Sequence, residues 1–525
     1  MARTLRVFRP ARSMAILSAG LLVVGLSLIG QQAMAANTPA LPWDLNGDGY
    51  AELAVGAPGE RQRASPSTLL LDVGRVTVFP GTPNGPTTRG IRKISTWVTP
   101  GEYAYFGRAL TSCDFDADGY ADMAIGAPGL GNPPHNTSRG TVSVLYGSST
   151  GPVDAGRQLL RPGAFGRGGL GWGAPLACGD LNDDSFGDIA IGVSTCCDQP
   201  ALVTVIYGSN SGLDLDEFVH LDELQAVGGD PDEVRGGFGA SLSIGDLDGD
   251  GTDDLVVGAN AGGPFAGVFL FDGAVDGVAV EASTVLRPES PALTRFPNSD
   301  WQGLGSSTAI GDFNGDGDGD LAIGGGQRLS GCQRADFDRP CPGLVAVIPS
   351  NSNGLILGSV RFWHPGTPGV AGVTLATADG FGAVLAAGRL NGDSRDDLAI
   401  GAPSKKVGRA ISAGGVTILY GSTSGLTSTN SQIWIQSSPG VPGIDELADR
   451  FGSQLLISPL RGTSRSGLSI GIPAEDVGRV RDAGAVTVLF ANSRRLSSAG
   501  SKTWSESSPG VPGLAVEQDF FGTLS

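Results

Sequence analysis

The chain has 525 residues, a formal net charge of −18 at pH 7 and 84 glycines, about twice the usual share of about 7%. An apolar content of 40% is too high for a disordered chain, the acidic balance argues against a nucleic-acid partner, and so much glycine demands many turns. Short Val/Ile/Leu runs between Gly, Pro, Asn and Asp clusters, with no sustained helical period, make the class all-β.

At the N-terminus, Arg3, Arg6, Arg9 and Arg12 precede an apolar run from Ala15 to Ile29 and then Ala33-Met34-Ala35. That order predicts a signal peptide over residues 1–35, cleaved after Ala35. An uncleaved anchor is the alternative, but the run is short for a span of about 20 residues. Loss of the leader takes the net charge from −18 to −22. No second long apolar stretch follows, so the expectation is a protein that does not insert in a membrane after cleavage, secreted or at the cell surface, or periplasmic in a bacterium.

From Asp44 onward one unit recurs: a Phe-Gly or similar pair, eight residues later an acidic loop, then an apolar strand and a further strand ending in Tyr-Gly or its like. Phe106, Trp172, Phe238, Leu304, Phe381 and Phe451 stand eight residues before Asp114, Asp180, Asp246, Asp312, Arg389 and Pro459. Successive loops start 66 to 77 residues apart, room for four strands each. The first unit lacks its Phe-Gly strand, and Phe521-Gly522 near the far end supplies one without a loop. The expected fold over residues 36–525 is therefore a seven-bladed β-propeller with four-stranded blades, closed by the C-terminal Phe-Gly strand completing blade one. A stacked solenoid, the alternative, has no need of a split repeat.

The loops at 44–52, 114–122, 180–188, 246–254 and 312–320 place oxygens at positions 1, 3, 5 and 9, with a backbone carbonyl expected from position 7. The candidate Ca2+ ligands are Asp44, Asn46, Asp48, Tyr50 and Glu52; Asp114, Asp116, Asp118, Tyr120 and Asp122; Asp180, Asn182, Asp184, Phe186 and Asp188; Asp246, Asp248, Asp250, Thr252 and Asp254; and Asp312, Asn314, Asp316, Asp318 and Asp320. Ca2+ takes six to eight hard oxygens, and alternate residues of a tight loop can supply them. Glycine at position 6 (Gly49, Gly119, Gly251, Gly317) permits the positive φ that folds the loop; Ser185 replaces it in the third. An EF-hand would need Glu at position 12, where the fourth loop has Val257 in an apolar strand. About five structural Ca2+ ions are expected, against the alternative that the acids only form turns. Loop 389–397 begins with Arg389, a possible counter-charge in place of an ion, and loop 459–467 has lost its ligands.

Phe-Gly, the acidic loop and the strand Leu-Ala-Val/Ile-Gly-Ala-Pro, seen at Leu53–Pro58 and Leu398–Pro403, resemble FG-GAP repeats, as in the N-terminal propeller of integrin α-subunits and the propeller part of glycosylphosphatidylinositol-specific phospholipase D. The resemblance implies calcium on one face and a protein or carbohydrate ligand on the opposite face. It also implies a binding or adhesion module and not an enzyme. The alternatives are an exported hydrolase related to that phospholipase and a scaffold subunit of an envelope complex.

With three histidines and no HExxH or G-x-S-x-G motif, the chain shows no catalytic constellation in sequence. The opposite face would be built from inter-blade connections, two of which repeat SSPGVPG at 437–443 and 507–513 after Trp434 and Trp504. Those tryptophans are read as packed between blades before ligand contacts. Cys332 and Cys341 are expected to pair; Cys113, Cys178, Cys196 and Cys197 leave several pairings open. Asn136-Thr137-Ser138 is a glycosylation sequon.

Overall fold

The computed structural model describes residues 40–65, 68–96, 104–129, 140–166, 171–193, 202–228, 237–260, 266–295, 303–325, 343–372, 379–462 and 466–524. The leader, the sequon, and Cys196, Cys197, Cys332 and Cys341 lie outside these residues.

Seven antiparallel sheets follow one another along the chain, each in simple up-and-down order. Blade two shows the plan: Ala109–Thr111, Met123–Ala127, Thr141–Tyr146 and Val153–Leu160. The acidic loop joins its first two strands, and the repeated Tyr-Gly ends its third, as the sequence pattern predicts. The second strand of every blade is buried along its whole length, which is why it reads as an unbroken apolar run and not an alternating one. The apolar cores lie between blades: Trp172, Phe115 and Val142 belong to one that joins blades two and three.

Blade one has three strands of its own, Leu53–Ala57, Arg75–Phe79 and Arg92–Ile94. Its fourth is the chain's end. Gly56 pairs antiparallel with Thr523, while Phe521 bridges to Gly484 of blade seven. The terminal segment thus fastens the last blade to the first, and the same core holds Phe521, Phe79 and Trp504. The fold is a seven-bladed β-propeller.

One contact recurs at all seven seams and explains both glycines of the repeat. The glycine of each second strand faces the glycine of the next Phe-Gly pair, Gly56 against Gly107, Gly126 against Gly173, and so on to Gly471 against Gly522. A methyl group on Gly126 would overlap the Gly173 carbonyl oxygen, and Gly173 itself has φ +102°. Only hydrogen fits.

Tyrosine adds a second fastening where the third strand ends in it. The hydroxyls of Tyr146, Tyr207 and Tyr420 accept the backbone N–H of Leu213, Val278 and Leu496 in the following blade, at 3.0, 3.0 and 2.9 Å. Blades two and three are also joined covalently by Cys113–Cys178, which resolves one of the open pairings. Trp363, Trp434 and Trp504 are buried, in keeping with packing between blades. No helix among the described residues is long and apolar enough to cross a membrane.

Candidate metal centres

Each acidic loop is folded by its own carboxylates. In loop two, Asp114 accepts the N–H groups of Asp118 and Gly119 at 3.1 and 3.0 Å, and Asp118 accepts that of Tyr120 at 2.9 Å. The same bonds run from Asp44 to Asp48 and Gly49, from Asp180 to Asp184 and Ser185, and from Asp312 to Asp316 and Gly317. Asp246 accepts Gly251 and, one residue earlier than the others, Gly249. Position 5 in every loop (Asp48, Asp118, Asp184, Asp250, Asp316) accepts the N–H of position 7 (Tyr50, Tyr120, Phe186, Thr252, Asp318).

Position 6 does take the left-handed conformation, from Gly49 at φ +86° to Gly317 at +102°, and Ser185 adopts it too at +70°. No atom stands near a Cβ built on Gly119, so dihedral and not space selects glycine there. Position 4 was missed by the sequence reading. It is also left-handed, as Gly47, Ala117, Asp183, Gly249 and Gly315, and the position-7 side chain of the next blade leans on it: Tyr120 over Gly47, Asp318 over Gly249.

Position 9 is buried and does more than offer a ligand. Both oxygens of Asp122 are engaged, one with the N–H of Phe115 at position 2 (2.8 Å), the other with Gly147 just after the third strand (2.7 Å). Glu52, Asp188, Asp254 and Asp320 repeat this clamp. Position 2 is the second residue overlooked in sequence: Leu45, Phe115, Leu181, Leu247, Phe313, Leu390 and Leu460 are all fully buried, and an apolar residue at one register in seven loops was the available signal.

The loops also touch one another. The position-8 amides of Ala121, Gly187, Asp253, Gly319 and Asp396 each donate to the position-1 carbonyl of the preceding blade, at 2.7 to 3.1 Å, and Ala51 donates to Pro459 at 3.3 Å.

In loops two and four, oxygens of positions 1, 3 and 9 (Asp114, Asp116, Asp122; Asp246, Asp248, Asp254) lie within 4.8 Å of one another, a set that could hold a metal ion. In loops one, three and five position 3 is asparagine. Asn182 Oδ1 is buried with no hydrogen-bond donor, an oxygen suited to a cation. Asn46 and Asn314 instead turn their amide nitrogens to Glu52 and Asp320, at 2.6 and 3.4 Å, and must rotate to present oxygen. Burial raises the position-9 acids far above the usual carboxylate range, Glu52, Asp254 and Asp320 to about 7 and Asp122 and Asp188 to about 8, with neighbouring loop carboxylates adding to it. Asp116 is raised to about 6 by burial and by Asp118. Several hard oxygens made uncomfortable by burial and mutual charge are the donor set that a divalent cation relieves.

Blade six keeps the clamp without the cluster. Asp397 accepts Leu390 and Gly421 at 2.7 and 2.9 Å, and burial raises it to about 7. The internal counter-charge is Arg395, 3.1 Å from Asp393; Arg389, expected in that role, is largely exposed and lies 3.8 Å from Asp396. In blade seven Arg461 lies over the Phe490 ring at 3.4 Å.

The fold and its loops define the class, a β-propeller with acidic hairpin loops on one face. The FG-GAP repeat model matches residues 35–79, 106–145, 238–276 and 304–329, which fall in the four blades with glycine at position 6 of the loop. The chain carries FG-GAP repeats in an integrin-like β-propeller.

Human (Homo sapiens) phosphatidylinositol-glycan-specific phospholipase D is 33% identical over 153 residues, covering 28% of this chain and 17% of that protein. Integrin alpha-IIb of Homo sapiens is 34% identical over 150 residues, 28% of this chain and 14% of the integrin. Integrin alpha-5 of Xenopus laevis is 29% identical over 232 residues, 42% and 20% respectively. The matched segments thus span a fifth or less of these relatives. Among solved structures, an exotype rhamnogalacturonan lyase superposes with a TM-score of 0.38 at 12% identity, covering 90% of this chain and 82% of the other.

Proposed function

We propose that this protein is an exported binding module, a propeller whose five acidic loops hold about five structural Ca2+ ions and whose opposite face takes a ligand. The observation that carries the reading is on that opposite face, where Ile411, Ile444, Leu447 and Leu514 are 58, 64, 71 and 79% exposed. They stand beside pinned segments: Ala448 donates to the Ile411 carbonyl at 3.0 Å, and the SSPGVPG turn at 437–443 is bonded to the next outer strand through Ser498, Ser501 and Thr503. Exposed apolar side chains on a rigid base mark an interaction surface, and favour a protein ligand over a glycan. The Cys113–Cys178 disulfide supports export.

The loop acids are committed to the backbone and to one another, which supports a binding role over a hydrolytic one. The test is to screen the chain against peptide and glycan arrays and to compare Ile444→Ser/Leu447→Ser with the parent. Binding weakened at least tenfold by the double variant, with an unchanged melting temperature, is expected. Ligands indifferent to both substitutions, or hydrolysis of a phosphatidylinositol-glycan substrate, would overturn it.

A further inference from the structure

On the face opposite the loops, three seams can be compared at the same chain positions: the second residue after the Trp that ends a fourth strand (Pro365 between blades five and six), the residue two after the Pro that follows a second strand, and the residue two before Phe-Gly. Between blades five and six the acid there, Asp379, meets Lys405 at 3.1 Å. Between blades seven and one the positions hold three acids, Glu506, Glu60 and Asp519, and two cations stand with them: Lys93 meets Glu506 at 2.7 Å and Arg75 meets Glu60 at 2.5 Å, while Asp519 Oδ1 finds no donor. Between blades six and seven the positions hold Gln436, Glu475 and Asp449, two acids and a neutral amide.

Gln436 Nε2 donates to Glu475 at 2.6 Å and lies against Gly443. In the neighbouring seams a lysine ammonium takes that place, Lys405 bonded to the Gly372 carbonyl and Lys93 beside Gly513. The amide copies the hydrogen bond and brings no charge. Gln436 and Asp449 are each 1% exposed, and Gln436 Oε1 and Asp449 Oδ1 find no hydrogen-bond donor. Asp449 Oδ2 is used, accepting the Glu446 N–H at 2.7 Å. The charges acting most on the pair are acidic as well, from Glu446, Asp445 and Asp476.

We propose that this seam holds a cation site of its own, in which Asp449, Glu475 and the amide oxygen of Gln436 bind one Ca2+ on the face opposite the acidic loops. The ion supplies the charge that lysine supplies next door; Asp449 Oδ1 and Gln436 Oε1 are hard oxygens without donors, and the Gln436 amide must rotate from its bond to Glu475 for its oxygen to face the ion. Burial pushes Asp449 up to about 6 and Glu475 up to about 7, so the ionised pair is costly until a cation sits with it. The site uses no loop residue and stands or falls apart from the five loops.

The decisive variant is Glu475→Lys, which copies the lysine of blade six and is built to fold. Calcium per chain, measured by metal analysis after equilibrium dialysis, should fall by one ion in Glu475→Lys and again by one, not two, in Glu475→Lys/Asp449→Asn relative to the parent. The variant should also melt no lower than the parent in chelator. Terbium emission excited through tryptophan should lose a component, since Trp434 stands two residues before Gln436. An unchanged ion count in folded Glu475→Lys overturns the proposal, and so does a parent whose two acids are silenced by a shared proton with no ion gained between pH 5 and pH 8.

Discussion

Blades two and six build the same hairpin with different chemistry. Both clamp position 2 and the end of the third strand through a buried position-9 aspartate, Asp122 in one and Asp397 in the other. Only blade two gathers three carboxylates at one point, whereas blade six starts with Arg389 and neutralises Asp393 with Arg395. The clamp is therefore kept in a blade that has lost the acidic cluster, and only blade seven, with Gly467 at position 9, lacks the clamp acid as well. Acidity at position 9 alone does not announce a metal.

The largest effect that separates the two kinds of blade is calcium removal. Each filled loop should contribute about 2.7 kcal/mol when free Ca2+ exceeds Kd a hundredfold, and blades six and seven should contribute nothing from their loops. Melts with and without chelator measure it, and a melt indifferent to chelator would erase the distinction. Next in size are Asp122→Ala and Asp397→Ala. Each strands two buried amides, at about 1–3 kcal/mol apiece, so in chelator their urea midpoints should fall alike. With calcium present, Asp122→Ala should lose more.

The pH response sharpens the same contrast. All six position-9 acids have raised folded-state pKa values of about 7 to 8, so without metal the folded state holds protons that the unfolded chain has released. Their contribution is intact below about pH 4 and is lost as pH rises through 7 to 8. Metal-free protein should melt higher at pH 5 than at pH 8.5, and saturating calcium should remove most of that slope, leaving the part due to Asp397.

Smaller still, Gly119→Ala forces φ +89° on a side chain and should cost about 1–2 kcal/mol, while Ser185→Gly should relieve part of such a cost in blade three. Arg395→Ala, removing a partly exposed pair, should cost about 0.2–1 kcal/mol and leave the clamp in place.

Most of this frame was legible because the repeat is written along the chain. The eight-residue offset from Phe-Gly to loop located the blades, and the split unit announced the pairing of Gly56 with Thr523. Alternating oxygens with glycine at position 6 located the candidate cation loops. Contacts across seams were not legible. Nothing near Gly126 in sequence names Gly173 as its neighbour, and Cys113 could have met any of three other cysteines, because such partners depend on how one blade lies on the next. The same blindness put the counter-charge of blade six on Arg389 and hid the second task of position 9. Its backbone partners lie on two other segments.

The amide-to-carbonyl bonds that link each loop to the one before it carry a thermodynamic consequence. The residue that donates, such as Ala121, is next to candidate ligand Asp122, and the carbonyl that accepts belongs to candidate ligand Asp44 of the previous loop. Ordering one loop around an ion therefore fixes half of a hydrogen bond that its neighbour needs. Successive loops should not fill as independent sites but with positive coupling from blade to blade, so that loading spreads round the ring and a calcium titration rises more steeply than five separate equilibria allow.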